Sequence, residues 1–384
     1  MGFHAEPPMP QSPLICTFGD STSAATVAPE DGLCDYTFFD SLQKQGGSKL
    51  AGPFKQGFER FLAITARHSK TEYGVGLDYG ALGELQVLVE KRTAKDHLDN
   101  MFSRKLYHFG FVNTAFYYFN YDQLESMLKV LKKVSDLMDD RRSPTRPIYT
   151  VIAVALISTG WVDAAVNEFR RTFTPDALVS VGHYFSEDKN FVGCLAVPPT
   201  LLDMPPSEDY YYSLNTAHEA VKMVDNKLPN MTKVVSVAMF GRWYRPLYPD
   251  PEVVDKPGNY SPLQACSMIP ENQIGNIADV CINPTYTASY HDNESQSQVV
   301  YSKKTERMFI YDDSTSFRSK LCHCKSRAKS LRYGLAAYNL DCADGANRCL
   351  LGSYPRLRTL RNLLIIFEQT FSSSTDMDAC VRNQ

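Results

Sequence analysis

The sequence predicts a (β/α)8 TIM barrel with a small insertion between its seventh and eighth strands. Three observations carry this expectation. Eight short apolar, β-branched or aromatic runs recur along the 384 residues, mostly separated by stretches with helical periodicity. Several of the runs are apolar on both faces, as parallel strands covered by helices are. A length of about 350 residues also lies within the range of that fold once insertions are allowed.

The strands read in order as PLICTF (Pro13 to Phe18), DYTFFDSL (Asp35 to Leu42) and EYGVGLDY (Glu72 to Tyr79). HFGFVNTAFYYFN, His108 to Asn120, supplies the fourth and runs straight into an amphipathic helix. The rest are Ile148 to Ile157, Ala177 to Phe185, Lys233 to Gly241 and Tyr333 to Asp341. Between them Phe54, Phe58, Phe61, Leu62 and Thr65 recur at helical spacing, as do Leu124, Leu128, Leu131 and Val134. Leu214, Ala217, Val221, Val224 and Leu228 form a third such face. Ser314 is placed to cap a helix carrying Phe317, Leu321 and Cys324, and Pro355 opens a last helix presenting Leu357, Leu360, Leu364 and Phe367. The barrel is expected over residues 13–371. Residues 245–307, rich in Pro, Asn, Ser and Tyr, break the rhythm and read as a rim insertion clamped by Cys266 with Cys281. Residues 372–384 read as a flexible tail.

Net charge is −3, and no Lys/Arg run longer than a pair sits on an aromatic background, which argues against nucleic acid. The longest apolar run, Tyr149 to Ser158, is too short to span a membrane. Ten cysteines and three sequons, at Asn230, Asn259 and Asn293, point to an extracellular, secreted glycoprotein with disulfides. MGFHAEPPMPQSP has no apolar core, so the chain is read as lacking a signal peptide, as a mature or truncated form would. No phosphate loop, zinc-protease motif or nucleophile elbow occurs, and no cofactor is implied. Cys322-His323-Cys324 fails as a metal site because helical residues two apart point about 200° apart; no metal is expected.

Two segments carry a resemblance. KVVSVAMFGRWYRP (Lys233 to Pro246) resembles the seventh strand of the family 18 glycoside hydrolases, the chitinases and chitinase-like proteins. MFIYDDSTSFRSK followed by YGLAAYNLDCAD resembles that family's closing unit. The match in element order covers roughly Pro13 to Phe367. PEDGLCDYTFFDSL, CLAVPPT and SLRYGLAAYNLD further resemble secreted chitinase-like proteins of ticks. The resemblance implies a fourth strand with acids spaced D-x-x-D-x-D-x-E, the last one protonating the glycosidic oxygen. Here Phe109, Val112, Thr114 and Phe116 stand at those places, and no acid occurs between Leu106 and Tyr121.

A general acid needs a dissociable proton in reach of the leaving oxygen, worth roughly 10²- to 10⁴-fold in rate. Phenylalanine has none. The expectation is therefore a pseudoenzyme, not a working glycosidase, that binds a chitin-like or host glycan of the N-acetylglucosamine type at the barrel mouth. By the resemblance its contacts are Tyr184, Arg242, Tyr338 and Phe116, with Asp78 nearby. A scaffold for a host protein, with the mouth filled by aromatic rings, is the alternative. Relocated acids among Asp40, Asp78 and Asp341 are a third reading, and His183 reads as a core histidine rather than a base. For the cysteines the tick-type resemblance implies Cys322 with Cys349. Cys16 with Cys34 links the first two strands, Cys324 and Cys342 read as a further pair, and Cys194 and Cys380 stay unassigned.

Overall fold

The structure is a computed structural model that describes residues 7–42, 50–114, 120–185, 194–203, 213–247, 260–267, 274–369, 371 and 375–382. Seven parallel strands follow one another around a ring: β1 (Leu14–Phe18), β2 (Tyr36–Leu42), β3 (Glu72–Leu77), β4 (Leu106–Phe111), β5 (Thr150–Val154), β6 (Ala177–Ser180) and β7 (Thr232–Ala238). The chain then leaves the ring for a rim sheet of β8 (Gly241–Pro246), β9 (Cys266–Ser267), β10 (Ile274–Gly275), β11 (Ala288–Asp292), β12 (Ser297–Ser302) and β13 (Arg307–Tyr311). It returns as β14 (Gly334–Tyr338), which pairs with β7 and β1 and closes an eight-stranded barrel. All eight predicted strands are ring strands.

Side-chain alternation sorts each strand between two layers. Ile15, Phe38, Val151, Val179, Val234 and Ala336 fill the interior, while Leu14, Phe39, Leu178, Val235 and Leu335 pack beneath the helices. Gly74 makes room for one of the large interior rings: a Cβ there would lie 2.4 Å from Phe38. The outer layer comprises α1 (Gln56–Arg67), α2 (Leu82–Val89), α3 (Ala94–Ser103), α4 (Tyr121–Leu137), α5 (Thr159–Arg171) and α6 (Leu214–Lys227). It continues past the short rim helix α7 (Ala278–Cys281) with α8 (Ser314–Arg327), α9 (Pro355–Gln369) and α10 (Thr375–Arg382). The apolar faces expected from periodicity are the buried ones, for example Phe58, Phe61 and Leu62 in α1. Asp313, not Ser314, caps α8, because its carboxylate accepts the Ser316 N–H at 2.7 Å.

No helix follows β1. A loop takes its place, tied back by the Cys16–Cys34 disulfide and by Arg361, which donates to the Leu33 carbonyl and pairs with Asp35 at 3.0 Å. The barrel unit also begins before Pro13. Met9 is buried, Thr232 donates its hydroxyl to the Met9 carbonyl at 2.9 Å, and Tyr149 donates to the Pro7 carbonyl at 3.0 Å. Above this plug His108 accepts the Tyr149 N–H on Nδ1 at 3.1 Å, so its Nε2 proton faces Glu72 at 2.8 Å.

The rim insertion is wider than residues 245–307. It runs from Gly241 to Tyr311, because β8 and β13 pair directly with each other where the chain leaves and re-enters the ring. Its weld to the barrel is a buried ion pair. Lys320 donates to Asp312 at 2.5 Å, to Ser297 Oγ at 2.9 Å and to the Thr200 carbonyl at 2.7 Å, with both charged side chains fully buried. Burial raises the Asp312 carboxyl and lowers the Lys320 ammonium, and their mutual attraction opposes both shifts.

Three expected cysteine pairings are corrected. Cys266 is bonded to Cys194, which the β9 backbone brings alongside, the Cys266 N–H donating to the Cys194 carbonyl. Cys281 on α7 is bonded to Cys349 beyond β14, and Cys322 on α8 to Cys380. Cys324, two helical residues further on, faces away from that bond; it and Cys342 are buried free thiols. The tail expected to be flexible contains α10, which packs on α8 with Cys380 fully buried. Of the sequons, Asn230 and Asn293 are exposed, and Asn259 lies outside the described residues.

Lys320→Met leaves Asp312 buried without its cation, and urea unfolding should register a loss of about 3–5 kcal/mol. Adding Asp312→Leu should recover most of it; no recovery would mean that packing, not charge, is the weld. Cys380→Ser should cost about 2–4 kcal/mol and make the segment after Phe371 the first to be cleaved in limited proteolysis.

Candidate functional site at the barrel mouth

The carboxyl ends of the ring strands form the mouth, where this fold keeps its chemistry. On β4 and just past it the alternation separates the described positions singled out in the sequence. Val112 and Thr114 turn to the barrel axis, and the Thr114 hydroxyl donates to the Ala153 carbonyl. Phe109 turns outward and is buried under the helices, so it is not a mouth residue. Phe116 lies outside the described residues.

Tyr338 stands at the end of β14, 1% exposed. Its hydroxyl donates to the Val112 carbonyl at 2.7 Å, and its ring packs 4.4 Å from His183 and 5.7 Å from Phe185. Stacking on a sugar needs a free ring face, and this ring offers none. Tyr184 is fully buried, with the Arg242 guanidinium 6.0 Å from its centroid and 5.9 Å from that of Tyr244. Arg242 is itself 3% exposed, and its Nε and Nη1 are buried without hydrogen-bond partners. Asp78 is half-buried at the exit of β3, where its carboxylate accepts the Gly80 N–H and shapes a turn.

His183 is a fully buried histidine. Ser236 Oγ accepts the Gly182 N–H at 2.9 Å and lies 2.7 Å from His183 Nδ1, leaving Nε2 without a partner. Burial pulls its pKa down to about 3, so the ring is neutral at physiological pH and a poor proton carrier.

Two further carboxylates of the mouth, Asp40 and Asp341, lie near Gly19. Asp40 on β2 accepts from Asn113 at 3.4 Å and from Asn339 at 3.5 Å. Asp341, just past β14, accepts the Gly19 N–H on Oδ1 at 2.9 Å, and its Oδ2 is buried without a partner. Gly19 is required here, since a Cβ would lie 2.4 Å from Asn339 Nδ2, 3.1 Å from Asp40 Oδ2 and 3.4 Å from Asp341 Oδ2. Burial pushes the Asp341 carboxyl up to about 6. Asn113, Asn339, Ser236 and Gly19 belong to this site and were missed in the sequence. Each is a small or polar residue whose partner is remote in the chain, so no local pattern announces it.

Two clefts flank the mouth. One, of about 350 Å³, lies between the loop after β1, the exit of β14 and the rim sheet; Ser21, Thr26, Asn276, Asp341, Asp344 and Arg348 are among its walls. The other, of about 490 Å³, lies between the rim and α9 and is lined by Met239, Ile277, Tyr311, Leu351, Tyr354 and Pro355 among others. Among the described residues no group of three or more His, Cys, Asp or Glu side chains is arranged to hold a metal ion. Among them, no helix is long and apolar enough to cross a membrane.

No protein-family profile matches the sequence, and no curated protein matches it. Solved structures do. The group IV chitinase of Ostrinia furnacalis, in complex with allosamidin, superposes with a TM-score of 0.65 at 12% identity, over 93% of this chain and 99% of that one. The immunomodulatory active chitinase of Trichuris suis gives 0.65 at 12% identity, over 91% and 99%. Human YKL-39, described as a pseudo-chitinase with retained chitooligosaccharide binding, also gives 0.65 at 12% identity, over 91% and 99%. At this identity the likeness is one of fold: a closed (β/α)8 barrel with surrounding helices, as in the family 18 chitinases and chitinase-like proteins.

Proposed function

We propose that this chain is a chitinase-like protein that recognises a glycan of the N-acetylglucosamine type without hydrolysing it, and that it works outside the cell. The observation that carries the reading lies just past β4, where a valine and a hydroxyl already engaged by Ala153 face the axis and no carboxylate does. With no proton donor at that place, the step that cleaves a glycosidic bond has no acid to drive it. Four disulfides agree with an oxidising compartment. The likeness to YKL-39 supports oligosaccharide binding on such a frame; the resemblance of CLAVPPT and SLRYGLAAYNLD to tick chitinase-like proteins is what favours an arthropod origin in this reading. Arg242 is the anchor we assign, because two of its buried nitrogens have unspent hydrogen-bonding capacity.

The second reading, a scaffold for a host protein, rests on a different observation. Tyr184, Arg242 and Tyr338 are each at most 3% exposed, so the mouth offers little open surface to a sugar.

Calorimetry with chitohexaose tests the first reading. Binding should occur with no release of shorter oligomers. Arg242→Met should weaken binding at least tenfold, about 1.4 kcal/mol, with its thermal unfolding checked in parallel. Absence of binding in the unmodified protein would favour the scaffold; release of shorter sugars at enzymatic rates would revive relocated acids.

A further inference from the structure

The rim sheet carries positive charge that the barrel-mouth reading does not use. β8 and β13 run antiparallel with Phe309 opposite Trp243 and Met308 opposite Tyr244, so the next step of the register sets Arg307 opposite Arg245. Residues two apart on a strand share a face. The two arginines therefore stand on the face where the Trp243 ring meets Phe309 at 4.6 Å and Tyr286 at 5.1 Å. Like charges directly opposite each other across such a pair destabilise it. The residues paired with them on their other sides, Ser267 with Arg245 and Ser302 with Arg307, carry no charge to relieve them.

Both arginines are exposed, and neither forms an ion pair among the described residues. The turn between β12 and β13 adds Lys304, exposed and likewise unpaired among the described residues. These three cations, with Tyr286, Thr305 and Glu306, line a concavity of about 400 Å³. Thr305 Oγ1 is buried there without a hydrogen-bond partner. Glu306 is the one acid of the wall, so three cations against one carboxylate leave it two charges positive. The chain as a whole carries −3, so this attraction for anions is local to the rim.

Two guanidinium forks rooted about 5 Å apart suit a tetrahedral oxyanion, which accepts several N–H bonds at once. An anion between them replaces a repulsion with two attractions. The half-buried Tyr286 ring adds an apolar surface beside the cations, against which the C–H face of a sugar ring can pack. An acidic peptide would satisfy the charges and leave that surface unused. We propose that this part of the rim sheet binds a sulfated sugar, its sulfate ester held between Arg245 and Arg307, with Lys304 as a third contact and the sugar ring against Tyr286. The site lies outside the barrel mouth and stands whether or not the mouth takes a glycan.

Calorimetry with a sulfated hexasaccharide from heparin, its desulfated N-acetylated counterpart and a hexaglutamate peptide tests the assignment. The sulfated sugar should bind, more weakly as salt rises, and the desulfated one should not. Arg245→Gln and Arg307→Gln should each weaken binding about tenfold. Arg332→Gln removes an exposed cation at the opposite, amino end of the barrel and should change affinity by less than about twofold. Neither rim variant should unfold at a lower temperature, since each removes one side of a repulsion. No binding of the sulfated sugar, unchanged affinity in both rim variants, or an equal loss in Arg332→Gln would overturn the proposal. So would equally tight binding of the desulfated sugar or of hexaglutamate. A fall in melting temperature in either rim variant would make the arginine pair a structural one and sink the assignment as well.

Discussion

β14 has to satisfy the backbone groups on both of its edges, and it does so with Leu335 opposite Leu14 of β1 and opposite Val235 of β7. This closure removes every free edge from the ring. It also imposes the alternation that decides which side chains see the axis. The bonds of the ring are main-chain bonds, so they do not depend on what stands at the strand ends. Val112 and Thr114 can therefore follow β4 without bearing on the hydrogen bonds between that strand and its neighbours.

Closure explains which parts of the fold were legible in the sequence. A strand buried on both faces must be apolar throughout, so PLICTF and TVIAV announce themselves, and the helix faces of α1, α4 and α6 repeat at their own period. The rim was harder. β8 follows β7 after a short bend, and nothing in AMFGRWYRP marks where a ring strand ends and a rim strand begins. Disulfide partners depend on where loops return in space, which is why Cys194 and Cys266, 72 residues apart, could not be paired from the sequence. Counting from the acid motif puts Phe109 at the mouth. Its parity against Val112 puts it on the opposite face, where it packs under the helices.

The rim sheet is bound to the ring by polar contacts rather than by a broad apolar face. Arg356 on α9 donates to the Asp312 and Met239 carbonyls, joining the last residues of β13 to the bend after β7. Burial lowers its pKa to about 10, still far above neutrality, so the cation persists. With Lys320 and Asp312 it places three charged groups inside the protein within one hydrogen-bonded unit. Such a unit is a weak source of net stability but a strict one for geometry, because any displaced member leaves a buried charge exposed to nothing. The Cys281–Cys349 bond fixes the opposite end of the same contact.

The mouth follows from the same reasoning about buried charge. Carboxylates facing the axis would need water or cations, and a barrel that keeps them must keep its mouth wet. With a valine and an internally bonded threonine just past β4, no such demand arises on this side. The rings of Tyr338, His183 and Phe185 can then meet in the dry centre, where the unprotonated imidazole is compatible with its surroundings. Asp341 lies at the β1–β14 seam, where the Gly19 N–H donates to it, and Asp40 on β2 is bonded to the Asn113 and Asn339 amides. The polar capacity of the mouth has thus gathered at that seam and at Arg242. In the floor beneath them the His183 Nε2 is a buried nitrogen without a partner, so the dry centre keeps a polar atom that the surrounding rings do not satisfy.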